Sequence, residues 1–375
     1  ERAEQCAAAT APATGLVLLA LDGMTWNVTA PLVAQGRMPQ LARVLGRASY
    51  GELAIPPPSF SPVVWASVAT GLPEDEHGIH GFMRTRLPGV DTWIARGPMM
   101  HAFSWWGSAN RLMAATTRFG LSSSEPQPST DLRGLAFWHV PAAHGRKIGV
   151  YDWMNSWPVE RVNGYQWTEI GQPPLNAYPA EAVLPVIERV GVPDPPPSEA
   201  KLAEHAEHFA QAFALHEAFQ PDVSVHFNKV LDTVHEDWHR SESIFLRALP
   251  RPYRSFPSSV EEAYELADAW IGRFFDATPP GSLFVVVSDH GYEFDSTTHA
   301  IEPPGVVVLA GGPIACGRVL DGAGVFDVAP TILAALSLPG LEQMPGRVLD
   351  EAFAGAPPLL EHRQAYPAEW RPDPV

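Results

Sequence analysis

The sequence predicts an α/β fold with a mostly parallel central sheet, and three observations support that class. Runs of strand type alternate with stretches of helical periodicity along most of the 375 residues. Two of the strand-type runs, 16–21 and 283–288, are almost wholly apolar, which is typical of parallel strands buried on both faces. An aspartate follows each of these two runs, and ligands of open α/β sheets bind at that edge.

The first elements along the chain are a strand and a helix. Residues 16–21 (LVLLAL) predict a buried strand with Asp22 and Gly23 at its C-terminal end. At that position Asp22 is either a turn residue, a helix cap or a group that binds a ligand. Residues 38–45 then predict a helix that packs on the sheet.

A second helix begins within residues 56–71 (PPPSFSPVVWASVATG). Three prolines keep its entry extended, and Ser61 followed by Pro62 predicts a helix start with serine as the N-cap. Gly71 is placed to end this helix. A hydroxyl at a helix N-terminus lies where free backbone N–H groups and the helix dipole favour an anion. Ser61 therefore either caps the helix or acts on an anionic group.

The middle of the chain predicts a loop-rich insertion followed by two further elements. Residues 83–135 show little periodicity and many aromatic side chains, which favours an insertion over a binding site. Residues 147–153 predict another core strand, and residues 199–219 predict a long amphipathic helix. His205 and His208 lie three apart on that helix, and their acidic neighbours favour a solvated face over a metal site.

The C-terminal half continues the alternation of strands and helices. Its predicted elements are a strand at 223–227, a helix at 260–275, and strands at 283–288 and 306–309. Asp327 predicts the N-cap of a last helix, with Pro330 in its first turn. His77 and His80 lie earlier, in a turn-rich loop, and we expect packed or hydrogen-bonded histidines there instead of a catalytic base.

Composition restricts the partners of the protein. The formal net charge is −17 at pH 7, which argues against non-specific binding to nucleic acid or to an anionic membrane. A small phosphate-bearing substrate stays compatible, because bound metal ions can reverse the local field. Cys6 and Cys316 cannot form a thiolate zinc cluster; they are compatible with pairing to each other or with a modified N-terminal cysteine.

Length and hydropathy give expectations about organisation and location. A chain of 375 residues makes one large domain with insertions or two domains. We expect one domain, with boundaries at 14–355, insertions at 83–135 and 158–200, and terminal segments at 1–13 and 356–375. No apolar run is long enough to span a bilayer. The small residues at 7–14 favour export to the periplasm or the cell exterior, with a cytoplasmic location as the alternative; the oligomeric state stays open.

Chemistry-bearing residues follow several of the predicted strands. They are Asp22, Asp232 with His235, and Asp289 with His290, and His299 follows in the next loop. Each aspartate alone is usually a turn residue, and each histidine alone is usually a packed core residue. Together they supply three carboxylates and three imidazoles, a set suited to two divalent cations, zinc first and manganese second.

In combination, these motifs resemble the alkaline phosphatase superfamily, and specifically its type I phosphodiesterase/nucleotide pyrophosphatase branch. The matching segments, in family order, are 21–23 (LDG), 61–71 (SPVVWASVATG), 77–79 (HGI), 289–291 (DHG), His299 before Pro304-Gly305, and 327–331 (DVAPT). They extend over most of the chain, from about residue 16 to about residue 348. The resemblance implies a three-layer αβα sandwich with a mostly parallel central sheet and loop-rich cap insertions.

The resemblance also implies how two metal ions would be held. One ion would be bound by Asp22, Asp289, His290 and the Ser61 oxygen, and the other by Asp232, His235 and His299. The family spaces the aspartate and the histidine of the Asp232 motif four apart, whereas here they are three apart and Glu236 stands at the histidine position. His239 is the alternative ligand from this motif.

The activity implied by the resemblance is metal-dependent hydrolysis of phosphate esters, most of all phosphodiesters, through a phosphoseryl intermediate on Ser61. A serine hydroxyl is a weak nucleophile at neutral pH, and a bound cation activates it without a separate base. Arg84, Asn228 and Lys229 are the candidates for contact with the phosphate oxygens of a small-molecule ester.

Two alternatives keep the same scaffold. In the first, the site acts on phosphomonoesters or phosphonates, or transfers the phosphoryl group to an alcohol. Relaxed substrate specificity is also expected. The second alternative is a metal-containing binding protein with weak turnover, which the shortened spacing of Asp232 and His235 favours. A sulfatase is disfavoured, because valines follow Ser61-Pro62 where a Cys/Ser-x-Pro-x-Arg stretch would be needed.

Overall fold

The computed structural model describes residues 11–57, 60–95, 116–192, 199–241, 258–292, 302–357, 363–365 and 371–375. The α-helices in these ranges are α1 (Trp26–Ala34), α2 (Pro39–Leu45), α3 (Ser61–Thr70), α4 (Glu74–His77), α5 (His139–Ala143), α6 (Ala180–Ile187), α7 (Ala200–Phe219), α8 (Val230–Ser241), α9 (Ser258–Ala277) and α10 (Val325–Ala335). The strands are β1 (Leu16–Leu21), β2 (Ala48–Leu53), β3 (Met83–Arg86), β4 (Ile94–Ala95), β5 (Ser123–Pro126), β6 (Ile148–Tyr151), β7 (Gly164–Trp167), β8 (Ala177–Tyr178), β9 (Val223–Asn228), β10 (Leu283–Val287), β11 (Gly305–Gly311), β12 (Arg318–Leu320), β13 (Gly340–Leu341) and β14 (Arg363–Gln364).

One large sheet organises the molecule. Nine of the described strands form it in the order β12-β2-β11-β10-β1-β9-β6-β7-β8. The five central strands, in the order β10, β1, β9, β6 and β7, run parallel to one another. Antiparallel pairing occurs where β11 joins β10 and β2, and where β8 joins β7. The predicted α/β class with a mostly parallel sheet is confirmed, and five parallel strands place their carboxyl ends along one edge.

Helices cover both faces of this sheet, which gives three layers. On β1, Leu16 and Leu18 face a core shared with α3 and α10, while Val17 and Leu19 face a second core shared with α1, α2, α7 and α9. All six residues of β1 are buried, because successive side chains of a strand point to opposite faces and both faces are covered. The αβα sandwich implied by the resemblance is therefore confirmed.

The helix that carries Ser61 starts one residue earlier than predicted. Phe60 is its N-cap, with extended backbone angles of φ −95° and ψ 117°, and Ser61 is already the first helical residue. The prediction that Ser61 caps the helix is therefore wrong, and its hydroxyl is available for other contacts. Gly71 ends the helix as predicted, with φ at +68°, a conformation that glycine adopts without the strain of a side chain.

Two further details differ from the sequence prediction. Gly324, not Asp327, is the N-cap of α10, and Pro330 lies inside the helix beyond its first turn. The Asp327 carboxylate still serves the helix start from the third position, where it accepts the Gly324 N–H at 2.9 Å. Part of the turn-rich loop before His80 forms the short helix α4.

The two predicted insertions have different structures. Strands β3, β4 and β5 form a separate three-stranded antiparallel sheet within the range 83–135. The range 158–200 contributes β7 and β8 to one end of the central sheet. The domain boundaries themselves stay a prediction.

Two other sequence expectations have structural counterparts. None of the helices that the structure describes has the length and the apolar composition needed to cross a bilayer. Cys316 is disulfide-bonded, so it does not supply a free thiol. Cys6 lies outside the described residues.

Candidate active site

Polar side chains from three neighbouring strands meet at the carboxyl edge of the sheet. Asp22 follows β1, and Asp289 and His290 follow the adjacent parallel strand β10. Asp232 lies in the first turn of α8, which follows β9 on the other side of β1. The three strands run in parallel and side by side, so their C-terminal ends bring these side chains to one place.

Backbone contacts join the end of β1 to the start of α8. The Asp22 N–H donates to the Asn228 carbonyl oxygen at 3.0 Å, and the Asp232 N–H donates to the Asp22 carbonyl oxygen at 3.0 Å. Gly23 has φ at +78°, and a Cβ atom there would meet the Asp232 backbone at 2.9 Å. Only glycine allows this close approach, which brings Asp22 and Asp232 together.

Ser61 joins this group through His290. Ser61 Oγ lies 3.1 Å from His290 Nε2, and the serine is only 9% exposed. The other ring nitrogen, Nδ1, lies 2.7 Å from the Gly291 carbonyl oxygen, which only accepts, so the ring proton is assigned to Nδ1. The Nε2 lone pair then faces Ser61, whose hydroxyl donates to it.

The same histidine nitrogen is close to two carboxylates. His290 Nε2 lies 3.5 Å from Asp22 Oδ1 and 3.3 Å from Asp289 Oδ2. Both oxygens are buried without a hydrogen-bond partner among the described residues. The second oxygen of each carboxylate is satisfied by the protein: the Trp65 indole N–H donates to Asp22 Oδ2 at 3.3 Å, and the Gly23 N–H donates to Asp289 Oδ1 at 3.4 Å.

Burial and mutual repulsion raise the pKa of these acids. Desolvation raises the pKa of Asp22 well above its ordinary value, and the charges of Asp289 and Asp232 raise it further. The pKa of Asp289 is raised to about 8, chiefly by burial, and the charge of Asp232 adds to the rise. Burial of Asp22 and Asp289, with Asp232 beside them, opposes full ionisation of this group unless a positive charge compensates.

The arrangement fits a divalent cation. Ligand atoms of Asp22, Asp232 and His290 all lie within 4.8 Å of one another. Tetrahedral ligands bound to zinc at about 2.0–2.2 Å are about 3.3–3.6 Å apart. The distances from His290 Nε2 to its three neighbours, at 3.1, 3.3 and 3.5 Å, are of that size. A histidine that donates Nδ1–H to a carbonyl oxygen and offers Nε2 is also typical of a metal ligand.

The second predicted ligand set is described only in part. His235 lies one turn after Asp232 on α8 and is fully buried. Its ring packs against Tyr264 and Tyr292, with ring centroids 5.7 and 4.7 Å away, and burial lowers its pKa to about 3. Two histidines predicted for this set, His239 and His299, have side chains outside the described part of the chain. A second metal ion on this set stays a prediction.

Arg84, one of the predicted phosphate contacts, is engaged in the small antiparallel sheet. Its guanidinium pairs with Glu125 and with Asp131 and lies over the Trp93 ring at 4.7 Å. A phosphate would have to compete with these two carboxylates. A contact between Arg84 and substrate stays a prediction.

The other two predicted phosphate contacts also have partners within the protein. The buried Asn228 side chain accepts the Val230 N–H at 2.9 Å and donates to the His205 carbonyl oxygen at 3.3 Å, which stabilises the start of α8. Lys229 forms an ion pair with Glu169. Contacts of Asn228 and Lys229 with substrate stay predictions.

A second group of potential ligands lies at the same sheet edge and was not predicted. Asp152, Glu169 and His208 place ligand atoms within 4.8 Å of one another. Glu169 follows β7, a strand that the sequence analysis missed. His208 lies on α7 together with His205, which is buried, contrary to the solvated helix face that was predicted for this pair. Lys229 supplies a positive charge to Glu169, so the chain itself partly neutralises this group.

The loop histidines have structural partners, as expected. His77 is fully buried; its Nδ1 accepts the Ile79 N–H at 3.1 Å, and its Nε2 lies 3.2 Å from Ser67 Oγ. His80 Nδ1 lies 2.8 Å from a carboxylate oxygen of Glu74. These contacts support packed, hydrogen-bonded roles for both residues.

Comparisons with known proteins identify a family and a curated relative. A family model described as type I phosphodiesterase / nucleotide pyrophosphatase matches residues 16–311. A curated relative, the 2,3-bisphosphoglycerate-independent phosphoglycerate mutase of Clostridioides difficile (strain 630), is 29% identical over an alignment of 145 residues that covers 35% of this chain. The chain spans little more than a quarter, 28%, of the length of that relative.

Similar solved structures are found at low sequence identity. A 2-O GAG sulfatase gives a TM-score of 0.58 at 11% identity, over 95% of this chain and 76% of that one. Phosphonoacetate hydrolase from Sinorhizobium meliloti 1021, in complex with phosphonoacetate, gives a TM-score of 0.45 at 15% identity, over 75% of this chain and 57% of that one. The family match itself contains β1, the helix that carries Ser61, and β10 with Asp289 and His290. Because this match extends over far more than half of the chain, the protein belongs to the type I phosphodiesterase/nucleotide pyrophosphatase family.

Proposed function

We propose that the protein is a metal-dependent hydrolase of phosphate esters, with phosphodiesters as its preferred substrates. The observation that carries this proposal is the position of Ser61 Oγ, 3.1 Å from a histidine nitrogen that two buried carboxylates also approach. Membership of the family supports ester chemistry at this site. The negative net charge leaves a small-molecule ester, and not a nucleic-acid scaffold, as the expected partner.

Ser61 acts as the nucleophile in this proposal. Its Oγ gives up its proton and forms a bond to phosphorus while the bond between phosphorus and the leaving ester oxygen breaks, and the leaving oxygen takes up a proton. The product is a phosphoseryl group on Ser61 and a free alcohol. Water then attacks the same phosphorus atom, the bond to Ser61 Oγ breaks, and the serine regains its proton.

The residues around Ser61 would bind the cations that supply positive charge for this reaction. The residues proposed to bind one divalent cation are Asp22, Asp289, His290 and Ser61, and those proposed for a second are Asp232, His235 and His299. Such cations lower the pKa of a bound hydroxyl and stabilise charge on phosphoryl oxygens, and zinc suits these ligands first and manganese second. The Nδ1–H bond to Gly291 keeps Nε2 of His290 directed at the site.

Paired ester assays test the function. Turnover of bis-p-nitrophenyl phosphate and of p-nitrophenyl phosphate is measured with zinc, with manganese and after treatment with a chelator. We expect faster turnover of the diester, loss of activity with the chelator, and recovery when metal is restored. Faster turnover of the monoester would replace the diester preference with phosphomonoesterase activity. Full metal occupancy without turnover of either ester would reject the hydrolase and favour a metal-containing binding protein.

A further inference from the structure

Trp65 lies one helical turn after Ser61, so the two side chains share a face of α3. The indole is fully buried, and its N–H donates to Asp22 Oδ2 at 3.3 Å. One helix face therefore presents the nucleophile and, beside it, a hydrogen bond to a predicted metal ligand.

This hydrogen bond gives the two oxygens of Asp22 different surroundings. Oδ2 accepts from the indole, whereas Oδ1 lies 3.5 Å from His290 Nε2 and has no hydrogen-bond partner among the described residues. The terminal torsion of an aspartate is broad, so packing alone defines the orientation of its carboxylate weakly. A directional N–H donor on one side selects the orientation in which the other oxygen faces His290.

Aromatic packing fixes the indole itself. Trp153, just after β6, and Phe227, on β9, contact Trp65 edge-on, with ring centroids 5.2 and 5.3 Å away and interplanar angles of 81° and 85°. Edge-to-face geometry is the favoured arrangement for such pairs. Residues at the sheet edge thus fix the position of the Trp65 ring, and the indole N–H in turn orients the Asp22 carboxylate.

We propose that Trp65 is a positioning residue that orients Asp22 for metal binding and ties this ligand to the helix that carries Ser61. The inference rests on the proposed function in one respect, namely that Asp22 binds a metal ion. Outer hydrogen bonds of this kind typically change metal affinity about 10–100-fold.

Zinc titration of the chelator-treated protein by calorimetry tests the inference without reference to turnover. Trp65→Phe retains an aromatic ring but loses the N–H, and we expect its Kd for zinc to rise about 10–100-fold. Trp138→Phe is the matched control. Trp138 is buried in the same aromatic cluster, 5.1 Å from Trp153, and its indole nitrogen has no hydrogen-bond partner among the described residues. We expect the control to bind zinc as the wild type does.

The outcomes separate this inference from the proposed function. Equal zinc affinity in Trp65→Phe and Trp138→Phe overturns the positioning role, even if the wild type hydrolyses diesters. A selective loss of affinity in Trp65→Phe supports that role, even if the wild type hydrolyses no ester. Absence of zinc binding by the wild type overturns it as well. If Trp65→Phe does not fold, a benzothienylalanine at position 65 retains the shape of the indole, lacks the N–H, and is expected to show the same loss.

Discussion

At the scale of single residues, the position of Ser61 determines what its hydroxyl can do. A serine at the N-cap directs its side chain to backbone N–H groups of the first turn. Phe60 takes the cap position here, and Ser61 Oγ faces His290 Nε2 instead. Of the two roles that the sequence left open for Ser61, this one-residue difference favours the candidate nucleophile over the helix cap.

Replacement of Ser61 by alanine tests this role. Ser61→Ala is expected to abolish steady turnover, because no oxygen remains to form the phosphoseryl group. Bound metal, measured by elemental analysis, is expected to stay near the wild-type content, since Asp22, Asp289 and His290 are unchanged. Substantial turnover by this variant would contradict the phosphoseryl mechanism.

Replacement of Asp289 by asparagine is expected to have opposite effects on the stability of the metal-free and the metal-bound protein. Asp289→Asn retains the shape of the side chain. It removes a negative charge that is disfavoured by burial and by the neighbouring charge of Asp232. A raised pKa means that ionisation destabilises the fold as pH rises from the ordinary value of 3.8 to about 8. At about pH 9 the metal-free variant should therefore be more stable than the wild type by an amount on the order of a few kcal/mol, and at about pH 4 the gain should vanish.

Chemical denaturation with and without zinc measures both effects of Asp289→Asn. With zinc, we expect the sign to reverse, because the variant loses a ligand and binds less metal. Unchanged metal content in the variant would speak against Asp289 as a ligand. If the metal-free variant is less stable than the metal-free wild type at high pH, burial and the charge of Asp232 do not disfavour ionised Asp289.

At the scale of elements, the site depends on how the end of β1 meets the start of α8. Gly23 turns the chain after Asp22 with φ at +78°, and the Asp232 N–H closes onto the Asp22 carbonyl oxygen. Neither contact requires metal, so the fold positions two carboxylates side by side at an electrostatic cost.

Gly23→Ala tests the junction between β1 and α8. The new Cβ would lie 2.9 Å from the Asp232 backbone, and alanine is strained at positive φ. We expect a loss of stability of about 1–3 kcal/mol or more, together with weaker zinc binding, measured by denaturation and calorimetry. Gly36→Ala is the control, because Gly36 has φ at +75° but nothing within 4 Å of the added atom. Equal zinc affinity in the two variants would show that the junction does not matter to the site.

At the scale of the whole molecule, an ionic network ties the C-terminal residues to the body of the fold. Buried Glu160 lies 2.7 Å from His139 Nε2 and 2.7 Å from Arg371 Nε. The Arg371 guanidinium also donates to the carbonyl oxygens of Leu132 and Ser129. Desolvation opposes ionisation of Glu160, but the charge and hydrogen bond of His139 and those of Arg371 outweigh it and lower its pKa to about 2.

Arg371→Met is expected to destabilise the protein by about 1–3 kcal/mol, because Glu160 loses one of its partners while it stays buried. A lowered pKa stabilises the fold above the ordinary value of 4.5, and this contribution is lost as pH falls towards about 2. The difference between variant and wild type should therefore shrink as the solution is acidified through that range. The control is Arg347→Met, which removes ion pairs in which Arg347 is 46% exposed and which should contribute less than about 1 kcal/mol. Similar losses in the two variants would contradict the role assigned to burial.

Parts of the fold and site were predictable because their signals are local. The apolar runs of β1 and β10 need no context to be recognised as buried strands, and their bounds were predicted within one residue. The residues Asp22, Ser61, Asp289 and His290 stand next to such elements. Strands with polar sequences were missed, as in β2 (ASYGEL) and β7 (GYQW), because their pairing partners and not their composition define them.

The sequence by itself determined the α/β class and the parallel core and pointed to the candidate site residues, since apolar continuity and short motifs are properties of neighbouring residues. Only the tertiary structure decided that Ser61 faces His290, that His205 is buried, and that Trp65 donates to Asp22 from 43 positions away. Those contacts join residues from separate strands and helices, and their geometry depends on how the layers pack. Local sequence cannot specify that packing, because each contact is fixed by side chains that are distant along the chain.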